Sequence, residues 1–238
     1  MFSGHLGFAY LLKLLPVTNN ISLGTLFLAA QWPDFLLGLT LILGHDWGSY
    51  DPSLAGKTFP FKTHLPISHS LFGWLLGIGF LAVFQAFWRR CVTLSEIVTL
   101  SVGALSHWLL DVLVHRGSIP IFPTSNDPSN FVGLSLWDLP NSTVFGLEMA
   151  ILFLPLLLLL ITGRLKLGAA ASVSLLILII IHVVFQYNSN FIAPFSTDNM
   201  LSKDNGPVFL GLMVVLGLLC HFSDNNSTQD VTSKVKTN

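Results

Sequence analysis

The amino-acid sequence predicts an all-α, polytopic membrane helix bundle with about six transmembrane helices plus a short N-terminal helix. Of its 238 residues, 52% are hydrophobic and only 10% are charged, whereas soluble domains carry about 25% charged residues. Its apolar residues form long runs, close to the roughly 20 residues that a helix needs to cross a hydrocarbon core about 30 Å thick. A transmembrane β-barrel would instead require segments of about 10 residues with alternating polarity. Helices are therefore the predicted spanning elements.

Six apolar segments are predicted to cross the membrane. They are Asn20–Gly44, Pro66–Trp88, Thr93–His115, Ser142–Thr162, Leu167–Tyr187 and a shorter Pro207–Phe222. Phe2–Leu15 is apolar but too short to cross, and is predicted to be a half-helix or an interfacial helix that Pro16 ends. Residues 1–222 then form a single transmembrane domain, with its site-bearing part at about 1–150, and 223–238 form a polar, disordered tail.

The basic residues predict an orientation for the six spans. An even number of spans puts both termini on one side, and six basic residues near helix ends fall there: Arg89, Arg90, Arg164, Lys166, Lys234 and Lys236. The positive-inside rule makes that side cytoplasmic. No basic block indicates nucleic acid as a partner, and membrane lipids are the partners that this composition predicts.

Ionisable side chains inside a span are candidate functional residues, because burying them costs several kcal/mol unless they are paired, ligated or solvated. Six fall within or at the ends of the predicted spans: Asp34, His69, His107, Asp111, Glu148 and His182. The helix rise puts Asp34 and His107 roughly 21 Å, and Asp111 roughly 27 Å, from the cytoplasmic side. His69 and Glu148 lie near the opposite ends of their spans, so four helices contribute to one layer toward the non-cytoplasmic face. Nothing else on the helix of His182 supports a role in a site.

The spacing within one helix predicts a metal site. His107 and Asp111 are four residues apart, which places their side chains on the same helix face, one turn apart. Imidazole and carboxylate ligands suit zinc, manganese or iron. The other candidate ligands are His5, Asp34, His64 and His69.

Each candidate also has a purely structural interpretation. His107 and Asp111 could form a buried ion pair between helices, His5 could lie at the membrane interface, and His64 could face water. Several other residues are predicted to lie at loop edges or in solvent: His115, Asp138, His45, Asp46, Asp51 and His221.

Together these motifs resemble the YdjM family, which comprises bacterial inner-membrane proteins described as metal-dependent hydrolases. The resemblance rests on Gly4-His5, Trp32-Pro33-Asp34, the His64 to Ser70 segment and the His107/Asp111 pair, and runs from about His5 to Glu148. That family looks distantly related to the zinc-dependent phospholipase C and P1 nuclease group. The present sequence departs from the family pattern after Asp34, where Phe35 and Leu36 follow and family members often carry a second acidic residue.

The resemblance implies a ligand core and a reaction. His5, Asp34, His69, His107 and Asp111 would hold one or two divalent ions, most simply zinc, with Asp111 bridging two ions if both are present. His64 would be a further ligand or would support one, and Asp34 or Glu148 would be the catalytic carboxylate. The implied function is metal-dependent hydrolysis of a phosphoester such as a lipid headgroup, in a bacterial inner membrane, with the site toward the non-cytoplasmic face. A non-catalytic membrane scaffold and a metal or ion transporter are the alternatives.

Overall fold

Helices dominate the part of the chain that the computed structural model describes, which is residues 2–89, 93–123, 128–165, 168–188 and 201–224. Eight α-helices lie in these residues: α1 Phe2–Lys13, α2 Leu23–Ala30, α3 Trp32–Ile42, α4 Leu71–Arg89, α5 Leu94–Val114, α6 Asn141–Ile161, α7 Ala169–Tyr187 and α8 Gly206–Phe222. Two short hairpins accompany them: β1 Trp47–Tyr50 pairs with β2 Phe61–His64, and β3 Ile119–Pro120 pairs with β4 Phe131–Val132. The predicted bundle of helices is confirmed, while the hairpins were not predicted.

Four helices are long and apolar enough to cross a membrane, namely α5, α6, α7 and the segment Lys203–Phe222 that contains α8. The bent pair α2 and α3 would make a fifth span, so six spans are not confirmed in the described residues. The described apolar part of α4, Leu71–Phe80, is shorter than a span. Large apolar side chains on the outer faces of these helices are exposed, among them Leu154, Leu176 and Val208. Such an apolar surface is typical of helices that contact lipid.

The predicted first span, Asn20–Gly44, is not one straight helix. It consists of α2 and α3, whose axes meet at 57° across Gln31. Pro33 lies in the first turn of α3, where its ring is compatible with a helix start but could not continue α2 without a clash. The break leaves the last carbonyl groups of α2 without partners from the same helix, and one of them is used in the site described below.

The N-terminal helix α1 lies in the interior of the bundle, which agrees better with the predicted half-helix than with the predicted interfacial helix. Leu6, Ala9 and Tyr10 are completely buried, and α1 packs mainly against α6, with α2, α5 and α7 on its other sides. Its 12 residues span about 18 Å, too short to cross the membrane, and this length alone could not distinguish a buried half-helix from an interfacial helix.

A buried ion pair joins the end of α1 to the end of α8. Lys13 Nζ lies 2.7 Å from Asp224 Oδ2, and both side chains are almost inaccessible to solvent. Lys13 also donates to the Ile21 carbonyl, and Asp224 accepts from the Leu23 N–H at the start of α2. The predicted disordered tail is therefore wrong at Ser223 and Asp224, which are buried, and its remaining residues 225–238 lie outside the described residues.

We predict that Gly7→Ala destabilises the bundle, because α1 and α6 touch through their backbones at this glycine. A Cβ at Gly7 would lie 2.1 Å from the Ile151 carbonyl oxygen, so the two helices would have to separate. Overpacking of this kind typically costs about 1–3 kcal/mol. Thermal unfolding in detergent measures the loss. Gly146→Ala is the matched control on α6, where no atom lies within 4 Å of the added Cβ, and an equal effect of both substitutions would contradict the prediction.

Candidate metal centre

Five of the sequence-predicted ligands converge in the interior of the bundle, although they come from four separate elements. His5 lies on α1, Asp34 on the first turn of α3, His69 in the turn before α4, and His107 and Asp111 on α5. The structure starts α4 at Leu71, so His69 lies on the preceding turn and not inside a helix as predicted. His5, His69, His107 and Asp111 are buried.

The first group of ligand atoms surrounds the Asp111 carboxylate. His5 Nε2 lies 3.3 Å from Asp111 Oδ1, and His107 Nε2 lies 3.2 Å from Asp111 Oδ2. The His5 and His107 rings stack with their centroids 3.6 Å apart and an interplanar angle of 9°. One potential ligand atom from each of these three residues lies within 4.8 Å of the other two.

The second group contains Asp34, His69 and His107, and its ligand atoms also lie within 4.8 Å of one another. His69 Nε2 is 3.6 Å from Asp34 Oδ1 and 3.4 Å from Asp111 Oδ2, while His107 Nε2 is 3.9 Å from Asp34 Oδ1. His107 belongs to both groups. The two Asp111 oxygens face different neighbours, since Oδ1 faces His5 and Oδ2 faces His69 and His107.

The orientation of His107 is fixed by the break between α2 and α3. Its Nδ1 lies 2.8 Å from the carbonyl oxygen of Ala30, the last residue of α2. A carbonyl oxygen can only accept, so Nδ1 carries the proton and the Nε2 of a neutral ring carries a lone pair. This Nε2 is buried and faces the Asp111 carboxylate, 3.2 Å from its Oδ2. In the neutral ring this lone pair points at a carboxylate, which is unfavourable unless a metal ion lies between them, whereas a doubly protonated ring would form an ion pair. The donor set therefore fits a metal ion.

A similar contact orients His69. Ser68 Oγ lies 2.7 Å from His69 Nδ1, so it can accept the Nδ1–H and leave the Nε2 lone pair directed at the carboxylates. Ser70 caps the start of α4, because its Oγ accepts from the Gly73 N–H and donates to the Ile67 carbonyl. Support of a ligating imidazole through its second nitrogen is usual at metal sites.

Asp34 is the most accessible member of the set. Its side chain is 13% exposed, compared with 1% for His107 and 3% for Asp111. It lies in the first turn of α3, where the positive end of the helix dipole stabilises a carboxylate. Trp32 Nε1 donates to the Gly73 carbonyl, which joins the start of α3 to α4. Asp34 therefore lies on the most exposed side of the cluster.

Glu148 lies outside both ligand groups, although it is buried on α6. Trp137 Nε1 donates to its Oε1 over 3.3 Å. The Trp137 ring also packs on His115, with centroids 4.6 Å apart. His115 follows the last turn of α5, at the edge of the loop as predicted, but it is buried in an aromatic cluster beside the site.

The structure does not bring the other histidine candidates into the cluster. His64 ends β2 and packs on Trp47, with ring centroids 5.5 Å apart. His182 is buried on α7, where its Nδ1 lies 2.8 Å from the Leu178 carbonyl of its own helix. Neither belongs to a group of potential ligands among the described residues.

Sequence reasoning missed the residues that support the ligands. Asp46 is 1% exposed, so the prediction that it is solvated is wrong, and it accepts hydrogen bonds from the turn that carries His69. The supporting carbonyl of Ala30 could not be predicted, because backbone groups have no residue signature. Ser68 beside His69 was visible in the sequence and could have been noted as a partner for the imidazole.

Comparisons of the chain with protein-family models, with curated proteins and with solved structures give no significant match.

Proposed function

We propose that this chain is a membrane-embedded, metal-dependent hydrolase acting on a phosphoester, with a lipid headgroup as the most suitable substrate. The observation that carries the proposal is the pair of overlapping ligand groups that meet at His107, whose Nε2 lies 3.2 Å from an Asp111 carboxylate oxygen. A divalent cation between these atoms would relieve that contact. The resemblance to the YdjM family supports the same reaction class.

The ligand chemistry suits zinc, with manganese or iron as alternatives, held by His5, Asp34, His69, His107 and Asp111. When bound, such an ion lowers the pKa of a coordinated water to about 7 and supplies hydroxide at neutral pH. The two overlapping groups provide ligands for one ion or for two, since the Asp111 oxygens face different neighbours. His107 and His69 would be held in place by their contacts to Ala30 and Ser68.

The remaining chemistry requires a proton acceptor and access for the substrate. Asp34 is partly exposed, so its carboxylate could accept the proton of the attacking water and meet an entering headgroup. Glu148 is the second candidate for this role, because its buried carboxylate lies outside the ligand groups. The apolar outer faces of the helices would let acyl chains stay in lipid while a headgroup enters.

Metal content is the first test of this proposal. We expect detergent-purified wild-type protein to contain near-stoichiometric zinc, manganese or iron by elemental analysis, and the double variant His107→Ala/Asp111→Ala to contain none. Turnover of phospholipid and phosphoester substrates by the loaded wild type then separates a hydrolase from a metal transporter. A folded wild-type protein that stays metal-free after reloading would overturn the metal centre and favour the scaffold.

Glu148→Gln tests the proton-transfer role separately from metal binding. Because Glu148 lies outside the ligand groups, the variant is expected to retain its metal. If Glu148 is the proton acceptor, turnover falls by about 10²- to 10⁴-fold, the usual contribution of a general acid or base. Elemental analysis and a phosphoesterase assay on the same preparation measure both quantities. Undiminished turnover would leave Asp34 as the remaining candidate.

A further inference from the structure

Asp46 is a buried carboxylate that follows the last turn of α3 and precedes β1. Its Oδ2 accepts from Thr40 Oγ1 over 2.6 Å and from the Ser68 N–H over 3.0 Å. Its Oδ1 accepts from the Ile67 N–H over 3.2 Å. Both carboxylate oxygens are therefore used, and two of the three donors are consecutive backbone amides immediately before His69.

These contacts connect two ligand-bearing elements. Thr40 lies on α3, the helix that carries Asp34 in its first turn. Ser68 lies next to His69, and its hydroxyl contacts His69 Nδ1. Asp46 thus joins α3, which carries Asp34, to the turn that carries His69. The His69 imidazole in turn faces the Asp34 and Asp111 carboxylates.

We propose that Asp46 is a positioning residue for the metal centre, holding the turn before α4 so that His69 Nε2 faces the two carboxylates. This inference rests on the proposed function because it takes His69 to be a metal ligand, but it does not depend on turnover. A carboxylate is required because it can accept from both backbone amides and from the Thr40 hydroxyl. An asparagine offers one acceptor oxygen and places an N–H donor against the amides, so Asp46→Asn would release one side of the turn.

The main test compares zinc affinity, measured by competition with a chromophoric chelator, in Asp46→Asn and in the control Asp51→Asn. Asp51 lies in the β1–β2 hairpin that follows Asp46, where it accepts from the Ser53 N–H and pairs with Lys62. We expect Asp46→Asn to weaken zinc binding by about 10- to 100-fold, the usual cost of removing a group that supports a ligand, and Asp51→Asn to leave it unchanged. Thr40→Val, which removes only one donor, provides a milder variant with a smaller loss in case Asp46→Asn fails to fold.

A double-substitution cycle distinguishes positioning from a general loss of structure. If Asp46 acts through His69, adding Asp46→Asn to His69→Ala weakens zinc binding no further. An equal loss with and without the His69 imidazole would overturn the proposal.

A metal-free measurement keeps the inference separate from the proposed function. In protein with ¹⁵N-labelled histidine and no metal, the His69 ring resonances, assigned by their absence in His69→Ala, are expected to shift in Asp46→Asn and not in Asp51→Asn. Unchanged His69 resonances in Asp46→Asn would refute positioning, whatever the metal content. If the His69 resonances shift in Asp46→Asn and the wild-type protein binds no metal, the positioning role of Asp46 is retained and only the metal centre is refuted.

Discussion

Replacing Lys13 by Met is expected to lower the free energy of unfolding by about 3–5 kcal/mol, the cost of leaving a buried charge without its partner. Asp224 is completely buried and lies 2.7 Å from Lys13 Nζ. Asp224 also accepts from the Leu23 N–H, 3.2 Å from Oδ2, but a neutral donor of this kind cannot replace an ammonium group. Equilibrium unfolding of the detergent-solubilised protein measures the loss.

Two further variants show whether the loss comes from the unpaired charge. Lys13→Met/Asp224→Leu removes both charges, and is expected to recover much of the stability, since apolar replacements of buried ion pairs are often neutral or stabilising. Lys62→Met removes a cation that is 75% exposed in its pair with Asp51, and should change stability by less than about 1 kcal/mol. A double variant as unstable as Lys13→Met alone would show that packing around the lysine stem, and not the charge, causes the loss.

The helices were predictable from the sequence wherever a long apolar run lies between polar ends. The predicted span Thr93–His115 corresponds to α5, which begins with a capping box between Thr93 and Glu96, and α6 and α7 are similarly close to their predicted bounds. The course of Asn20–Gly44 was not predictable to the same degree, because Pro33 can either begin a helix or kink one. The choice depends on packing against other helices.

The sequence predicted which residues form the candidate site, but it did not predict how they are arranged in space. His107 and Asp111 share a helix face, so their spacing is encoded locally. The approach of His5 to the site depends on the burial of α1 against α6, and the length of the N-terminal apolar segment left a half-helix and an interfacial helix equally open. His64 is a histidine in the same segment as His69, yet it lies outside the site on β2, because the β1–β2 hairpin pairs it with Trp47.

Asp46 illustrates a different limit of sequence reasoning. A carboxylate after an apolar helix is usually solvated, and its burial here follows from hydrogen bonds to a turn 21 and 22 residues later in the chain. Such contacts between distant segments leave no periodic pattern in the sequence. Supporting residues are therefore harder to find than ligands, whose residue types alone identify them as candidates.

Asp111→Asn should abolish the stabilisation of the protein by zinc, and this result separates a metal centre from a scaffold of ion pairs. A ligand that binds only the folded state stabilises it by about 2.7 kcal/mol at 100 times its dissociation constant. We expect wild-type protein to show this gain in thermal or denaturant unfolding and Asp111→Asn to show none, since Asp111 oxygens lie 3.2–3.4 Å from three imidazoles.

The scaffold hypothesis makes the opposite prediction for the same variants. If His5, His69 and His107 serve as cationic partners of Asp111, Asp111→Asn would lose about 3–5 kcal/mol without any metal, and zinc would not stabilise the wild type. His182→Ala is the control, because His182 is also buried but lies outside both ligand groups. It should destabilise the metal-free protein and still keep the full gain from zinc, since a metal centre predicts that this gain depends on the cluster alone.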